Sequence, residues 1–281
     1  MIPAPFDYEV AESLEHAVEL LGSREDVKLL AGGHSLIPLL RLRFTRPALL
    51  VDIGRMHELR YVRDAGEQLA IGALTRHHDL QTDPLIQEHL PLVSHAAGQI
   101  GDPQVRHRGT IGGSLAHGDP AADLPAVMLA LDAELVVRGP DGERTVPAAD
   151  FWRGVFETAV GPNDVLTEIR IPKPGAVGWS YVKFTQRAQD WATVGVTAIV
   201  RRSNGTVEHA AVALTNMGPK PLRAAAVEEA LRAGGPDSAG DAAQAATEGT
   251  DPPSDTHGSA QYRRDLAKTL VRRALEEALR R

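Results

Sequence analysis

Residues 31–35 read Ala31-Gly32-Gly33-His34-Ser35 and join a predicted strand to a predicted helix. This stretch follows an apolar run, 27–31, that predicts a short buried strand, and it precedes a helix predicted to reach Leu40 with Ser35 as its N-cap. Glycine lets backbone N–H groups turn toward a ligand, and a helix N-terminus adds unpaired donors and partial positive charge. Because the stretch has no Lys or Arg, it predicts a diphosphate site built from backbone and hydroxyl donors.

A second glycine pair lies in Thr110-Ile111-Gly112-Gly113-Ser114. It belongs to a segment, 101–123, that is rich in Gly, His and Asp and shows little periodicity. Each pair can also be interpreted as the mark of a tight turn and nothing more. The chain lacks the G-x-G-x-x-G pattern of Rossmann folds and the P-loop pattern. On the residues alone, a diphosphate site and plain turns therefore both stay open.

Working outward from residues 31–35, strand and helix patterns continue until the cluster Pro172-Lys173-Pro174-Gly175. This cluster predicts a boundary between two domains, 1–175 and 176–281, the first with subdomains of about 1–54 and 55–175. The patterns of the first domain predict helices over 11–21, 90–100 and 125–131, strands over 27–31, 49–53 and 165–171, and hairpins over 60–71 and 133–146. Those of the second predict strands over 179–185, 192–201 and 207–214, and helices over 222–233, 239–247 and 260–279. The fold class is α+β.

Composition excludes several classes of protein. The chain has 281 residues, a formal charge of −7 and no cysteine. The acidic balance argues against nucleic acid as a partner. Without cysteine the chain holds no disulfide, no thiolate metal site and no Cys-ligated iron–sulfur cluster. The sequence shows no secretory signal pattern and no apolar run of about 20 residues, so we expect no transmembrane segment and a cytoplasmic protein.

The polar side chains indicate no catalytic or metal centre. The eleven histidines show no metal-ligand spacing, so we expect no metal site and histidines that lie mostly on the surface or in loops. His117, Asp119 and Asp123 fit acid–base work and Asx-type turns equally well. We therefore assign no catalytic residue.

The order of these motifs resembles a known family, the medium, FAD-binding subunits of the molybdenum hydroxylases, which include xanthine dehydrogenase and carbon monoxide dehydrogenase. The resemblance covers essentially the whole chain and is carried by residues 31–40, 49–53, 106–125, 169–172 and 254–263. It implies a two-subdomain FAD-binding domain of the vanillyl-alcohol oxidase/molybdopterin dehydrogenase type. A smaller α+β domain with a three-stranded antiparallel sheet would follow it.

The resemblance also implies the site residues. The FAD diphosphate would lie on residues 31–35 and 110–114, Asp123 would belong to the flavin site, and Lys183 would be a basic contact. The cofactor-binding set is Ala31, Gly32, Gly33, His34, Ser35, Leu36, Ile100, Thr110, Ile111, Gly112, Gly113, Ser114, Asp123, Leu166, Lys183 and Trp191. Trp191 stands where carbon monoxide dehydrogenases carry a tyrosine against the flavin ring. It would either cover the ring or begin a core strand.

The family implies that this chain passes electrons from a partner's iron–sulfur clusters through FAD to an external acceptor. The partners would be a large molybdopterin subunit and a small [2Fe-2S] subunit, in a heterotrimer doubled by symmetry. Two alternatives stay open. One is a stand-alone flavin oxidoreductase of the same FAD fold, and the other is a non-catalytic scaffold subunit whose flavin site has decayed.

Overall fold

A computed structural model of the chain describes residues 2–281. Its first part is a parallel three-stranded sheet in the order β1-β3-β2, with a helix after each of the first two strands. The elements are β1 (Asp7–Val10), α1 (Leu14–Gly22), β2 (Val27–Leu30), α2 (Leu36–Leu42) and β3 (Leu49–Asp52). Strands β2 and β3 confirm the predicted pattern, whereas β1 has no apolar signal in the sequence because its residues are mostly exposed. Alternate residues of β3 pack on α1 through Ala17 and Leu21.

The predicted N-cap of α2 is wrong. Ser35 precedes the helix, but its side chain makes no capping hydrogen bond. Its φ of −98° and ψ of −47° are already helical, whereas a capping side chain needs an extended backbone to reach the following amides.

The second part is an antiparallel five-stranded sheet in the order β4-β5-β10-β6-β7, surrounded by short helices. The strands are β4 (Val62–Asp64), β5 (Gln68–Gly72), β6 (Glu134–Gly139), β7 (Gly142–Pro147) and β10 (Val165–Pro172), with β8 (Trp152–Gly154) and β9 (Glu157–Thr158) as a separate pair. The helices are α3 (His77–Thr82), α4 (Pro84–His89), α5 (Pro91–Gly98), α6 (Pro103–Arg106), α7 (Ile111–His117), α8 (Asp123–Ala130) and α9 (Ala148–Phe151). Both predicted hairpins of this part are confirmed.

Two helices of this part correct the sequence patterns. Gly112 and Gly113 lie in the first turn of α7, not in an irregular loop. Helix α8 begins at Asp123, two residues before Pro125. Proline is tolerated there because the first amides of a helix have no intrahelical partner. All eight residues of α8 are buried, so the helix has no polar face from which its start could be read.

The third part is an antiparallel sheet in the order β11-β12-β13-β14, covered by a long helix. Its elements are β11 (Gly178–Phe184), β12 (Val194–Ser203), β13 (Thr206–Thr215), β14 (Leu222–Arg223), α10 (Ala225–Gly234), α11 (Ala239–Ala242) and α12 (Ala260–Arg280). Single 3-10 turns occupy His57–Leu59, Pro236–Ser238 and Ala243–Thr247.

The sheet of the third part differs from prediction in one strand. The three long strands and the Asn204-Gly205 hairpin are confirmed, but Leu222 and Arg223 form a fourth strand where a helix was predicted to begin. They pair with Leu214 and Ala213 of β13. Two residues are too few to show a period of two, so the sequence carries no strand signal there.

The third part shares its core with the second. One face of β12 and β13 packs against α8, so that Ile199, Ala211 and Ala213 join the same apolar cluster as Leu124. The opposite face packs against α10 and α12. This arrangement brings β11 beside the N-terminus of α8. Among residues 2–281, no helix combines the length and the apolar character needed to cross a membrane.

Candidate functional site

A cleft of about 1890 Å³ is lined by residues from all three parts of the chain. It contains fifteen of the sixteen side chains or glycines that the sequence analysis selected: Ala31, Gly32, Gly33, His34, Ser35, Leu36, Ile100, Thr110, Gly112, Gly113, Ser114, Asp123, Leu166, Lys183 and Trp191. Ile111 does not line it, because its side chain points into the core and is fully buried. Residues distant in sequence thus meet at one large cavity, the usual form of a cofactor site.

The stretch after β2 offers free hydrogen-bond donors to this cleft. Within residues 2–281, the backbone N–H groups of residues 32–36 donate to no backbone or side-chain acceptor. Gly33 has a φ of +80°, a conformation that favours glycine and turns successive N–H groups toward one side. Five consecutive unpaired amides at a helix start form a cradle for an anion such as a diphosphate. This fits the diphosphate interpretation better than a plain turn.

The backbone amides of the second glycine pair are hydrogen-bonded within the protein. The amides of Ile111 and Gly112 donate to the carbonyls of Thr75 and Ala73, at 2.9 and 2.8 Å. The amide of Gly113 donates to the Thr110 hydroxyl at 3.1 Å. These donors are therefore not available to an anion. A Cβ on Gly112 would lie 2.7 Å from the Ala73 carbonyl oxygen, so this glycine serves the close packing of α7.

The two glycine stretches contact each other along the cleft. A Cβ on Gly32 would lie 2.3 Å from the carbonyl oxygen of Arg108, two residues before Thr110. A Cβ on Gly113 would lie 4.0 Å from that of Ala31. Helix α7 therefore packs beside the free amides of residues 32–36, and it contributes to the shape of the cleft. The hydroxyls of Thr110 and Ser114 are polar groups of residues 110–114 that line the cleft.

A buried polar network lies in the same cleft where β11 meets α8. Both oxygens of Asp123 accept hydrogen bonds, Oδ1 from the hydroxyl of Tyr181 and Oδ2 from Nζ of Lys183 at 3.1 Å. Lys183 also donates to the carbonyl of Gln99 at 3.2 Å. Burial raises the pKa of the Asp123 carboxyl, and the two donors oppose that rise. Burial and the neighbouring carboxylate raise the pKa of Tyr181 well above 10, which keeps its hydroxyl protonated as a donor.

Trp191 does not belong to a core strand. Its side chain is 69 % exposed and lines the cleft, on the loop between β11 and β12. Ile100 and Leu166 line the same cavity as apolar surfaces. An aromatic ring at the rim and apolar walls below it suit a planar aromatic ligand.

Two residues were not predicted from the sequence: Tyr181, which is buried beside the cleft, and His77, which lines it. Tyr181 lies two positions before Lys183 on β11, and the alternation of a strand places both on one face. His77 lines the cleft and is buried, which corrects the expectation of surface or loop histidines for this position. Burial lowers its pKa to about 4. The sequence around His77 and His78 carries no pattern that shows which of the two histidines is buried.

The remaining polar motif behaves as a turn. Oδ1 of Asp119 accepts the amide of Ala121 at 2.8 Å, the geometry of an Asx turn. In the part of the chain that the structure describes, no group of three or more His, Asp or Glu side chains is arranged to hold a metal ion.

Comparison with known proteins matches both halves of the chain to one kind of subunit. Residues 4–174 match the FAD binding domain in molybdopterin dehydrogenase, and residues 179–278 match the CO dehydrogenase flavoprotein C-terminal domain. The chain belongs to the FAD-binding medium subunits of the molybdenum hydroxylases. Its cofactor is FAD, and it is an oxidoreductase subunit.

Individual relatives agree over their full lengths. The carbon monoxide dehydrogenase medium chain of Hydrogenophaga pseudoflava is 44% identical over 290 residues, which cover 99% of this chain and 98% of the relative. The 6-hydroxypseudooxynicotine dehydrogenase complex subunit alpha of Paenarthrobacter nicotinovorans is 42% identical, with 100% and 97% covered. A solved structure of carbon monoxide dehydrogenase from Hydrogenophaga pseudoflava superposes with a TM-score of 0.96 at 46% identity, covering 99% of this chain and 98% of that one. The fold class inferred from the sequence is thereby confirmed.

Proposed function

We propose that this subunit carries electrons from iron–sulfur clusters of a partner to an external acceptor by means of its bound FAD. The observation that carries the proposal is the single cleft in which free amides 32–36 and the Asp123–Lys183–Tyr181 network lie together. FAD, when bound, supplies the electron chemistry and can exchange one or two electrons. The protein's residues supply binding, orientation and electrostatics.

The fifteen cleft residues from the predicted set are proposed as the cofactor-binding residues. The amides of 32–36 would hold the diphosphate, and the hydroxyls of Thr110 and Ser114 would add donors. Ile100 and Leu166 would contact the flavin as apolar walls, with Trp191 at its exposed side. Lys183 is fixed by Asp123 and Gln99, so its ammonium group presents a positive charge of fixed position. Ile111 would act only by seating α7 in the core.

The proposed assembly contains a large molybdopterin subunit, a small [2Fe-2S] subunit and this chain, doubled by symmetry. The absence of cysteine supports it, since cluster ligation requires thiolates that this chain does not have. The names of the relatives, a medium chain and a complex subunit, also support a multisubunit enzyme. The substrate of the complex would be selected by another subunit.

The predicted division into domains 1–175 and 176–281 is also part of the proposal. It is supported by the gap between the two family matches, which end at residue 174 and begin at residue 179. The cytoplasmic location inferred from the sequence stays a prediction.

An absorption spectrum of the purified chain, with the released cofactor identified by mass, tests the proposal first. We expect the two absorption bands of an oxidised flavin and the mass of FAD. A colourless chain that also takes up no added FAD would leave the scaffold alternative. Co-purification of the tagged chain then tests the partners, and turnover of a small substrate by this chain alone would favour the stand-alone oxidoreductase.

A further inference from the structure

The stretch from Ser254 to Arg263, which leads into α12, does not line the flavin cleft. In space it lies against the loop that carries Trp191. We call these two pieces the 254–263 segment and the 185–193 loop. The loop joins the end of β11 to the start of β12 and brings Gln189, Asp190 and Trp191 to the cleft.

The 254–263 segment contacts the loop at both ends. At the first end, the side-chain amide of Gln186 donates to the carbonyl of His257 at 2.8 Å. Next to the loop, the ring of Phe184, the last residue of β11, lies 6.4 Å from that of Tyr262 between centroids. At the second end, a guanidinium nitrogen of Arg263 donates to the carbonyl of Thr193. Between these anchors, residues 187–189 and Trp191 form the exposed part of the loop.

Arg263 is itself held within the segment. Its Nη2 donates to both oxygens of Asp255, at 2.7 and 2.8 Å. Asp255 is positioned in turn, because its Oδ1 accepts the amide of His257 at 2.8 Å and its backbone pairs with Gly258. The same turn that orients the guanidinium thus presents the His257 carbonyl to Gln186.

The burial of Arg263 is costly for stability alone. The side chain is 1 % exposed, and its Nε has no hydrogen-bond partner within the described residues. Transfer of a guanidinium from water into the protein costs free energy that one ion pair rarely recovers, and an unpaired buried donor adds to that cost. The partner, Asp255, is 41 % exposed, which weakens the pair further. The geometry therefore favours a positioning role for this arginine.

A third contact holds the backbone of the 185–193 loop at Ala192. Asn216, at the end of β13, donates its side-chain amide to the carbonyl of Ala192 at 2.8 Å. The backbone amide of Asn216 donates to the carbonyl of Pro120 at 2.9 Å, and Pro120 lies three residues before Asp123. Ala192, the residue after Trp191, is therefore held beside the cleft by Asn216. This contact fixes the backbone next to the tryptophan.

We propose that the 254–263 segment is a positioning element that holds the 185–193 loop and so sets how Trp191 covers the flavin cleft. Arg263 is its central positioning residue. The role of Trp191 over the flavin rests on the proposed function, whereas the attachment of the loop does not. The two parts are tested separately.

Trypsin cleavage after Arg187 reports the attachment. Arg187 is exposed on the 185–193 loop, and cleavage of a native protein follows the population in which its site has opened. Arg263→Lys replaces two Nη atoms, which reach Thr193 and Asp255 separately, by one compact ammonium nitrogen, so we expect the two contacts to weaken. We expect cleavage after Arg187 to become about tenfold faster, the change that ~1.4 kcal/mol makes in an opening equilibrium. Arg264→Lys, the next residue of α12, is the matched control and should cleave like the wild type.

Gln186→Ala is the second variant, because it loosens the loop from its own side and leaves α12 intact. Gln261→Ala removes an exposed glutamine of α12 as its control. We expect faster cleavage in Gln186→Ala and the wild-type rate in Gln261→Ala. If Arg263→Lys does not fold, Gln186→Ala decides. In that case, a wild-type rate of cleavage after Arg187 in Gln186→Ala would overturn the proposal. If both variants fold, a wild-type rate in both would overturn it.

Fluorescence tests the part that depends on FAD. The fluorescence of Trp191 is obtained by subtracting the tryptophan emission of Trp191→Phe from that of the wild type. A flavin that lies beside the indole ring quenches this fluorescence. We expect less quenching in Arg263→Lys at equal FAD content, and equal quenching would overturn the link to the cleft. If the wild type takes up no FAD, the proposed function fails, while the cleavage result still decides whether the segment holds the loop.

Discussion

The ammonium nitrogen of Lys183 lies 3.1 Å from Oδ2 of Asp123, sixty residues away in sequence. The two side chains are only 5% and 7% exposed. The pair joins β11 to the first turn of α8, and the Tyr181 hydroxyl completes the hydrogen bonding of the carboxylate. A buried ion pair of this kind is sensitive to the loss of either partner.

Asp123→Asn should therefore destabilise the protein strongly. The substitution leaves the Lys183 charge buried without a counter-charge, which costs about 3–5 kcal/mol in comparable buried pairs. The free energy of unfolding in urea measures it. Asp132→Asn is the control, since Asp132 pairs with Arg223 but is 70% exposed, and its loss should cost less than about 1 kcal/mol. Equal losses in the two variants would contradict the buried pair.

Tyr181→Phe should remove one donor from the same network. The carboxylate of Asp123 would keep Lys183 but leave Oδ1 without its partner, at a cost of about 1–3 kcal/mol. Tyr8→Phe offers the same exchange at the surface, because the hydroxyl of Tyr8 donates to Asp52 on a half-exposed side chain. That control should be close to the wild type in urea unfolding. A Tyr181→Phe variant as stable as Tyr8→Phe would show that the hydroxyl contributes nothing to the network.

Gly33→Ala should reduce FAD retention. Gly33 and Gly66 share a φ of +80°, so alanine at either position adds a similar backbone strain. Only Gly33 lies among the free amides of 32–36, and a Cβ there would also lie 2.7 Å from Cδ1 of Ile37. Gly66, in the turn between β4 and β5, has no atom within 4 Å of an added Cβ. The ratio of flavin absorbance to protein measures retention.

We expect that ratio to fall in Gly33→Ala and to stay at the wild-type value in Gly66→Ala. Full FAD retention in Gly33→Ala would contradict the assignment of the diphosphate to residues 32–36.

His77 should make the stability depend on pH. Burial lowers its pKa to about 4 in the folded protein, below the value of about 6.5 expected in the unfolded chain. The unfolded chain therefore binds the extra proton first as the pH falls, so this stability is present above about pH 6.5 and is lost toward about pH 4. Between about pH 7 and pH 5 the loss is about 2 kcal/mol.

His77→Leu should remove that loss, so its unfolding free energy should change less between about pH 7 and pH 5 than that of the wild type. His57→Leu changes an exposed histidine and serves as the control. The same pH dependence in His77→Leu and the wild type would contradict the assignment.

The local sequence was enough to predict most of the elements. Alternating apolar residues predicted the long strands, and Asn204-Gly205 predicted the hairpin between β12 and β13, where both residues have positive φ. These signals succeed because strand pairing and tight turns depend on neighbours in the chain. The start of the fully buried helix α8 was predicted two residues late, and the two-residue strand β14 was predicted as the beginning of a helix. Burial on all sides and very short pairing leave no periodic pattern.

The glycine stretches and their order were enough to indicate the family and its cofactor FAD, and the resemblance to that family implied fifteen of the residues that line one cleft. Such motifs are local properties of the chain, so they can be recognised before the fold is known. Which of those residues keep free backbone donors, and which use them in packing, depends on the three-dimensional arrangement of the elements. That arrangement left the amides of 32–36 free and engaged those of 111–113, since the latter contact the carbonyls of Thr75 and Ala73 and the hydroxyl of Thr110. It also joined Asp123 to Tyr181 and Lys183 across two parts of the chain. Such pairings depend on how elements pack, and no spacing along the sequence records them.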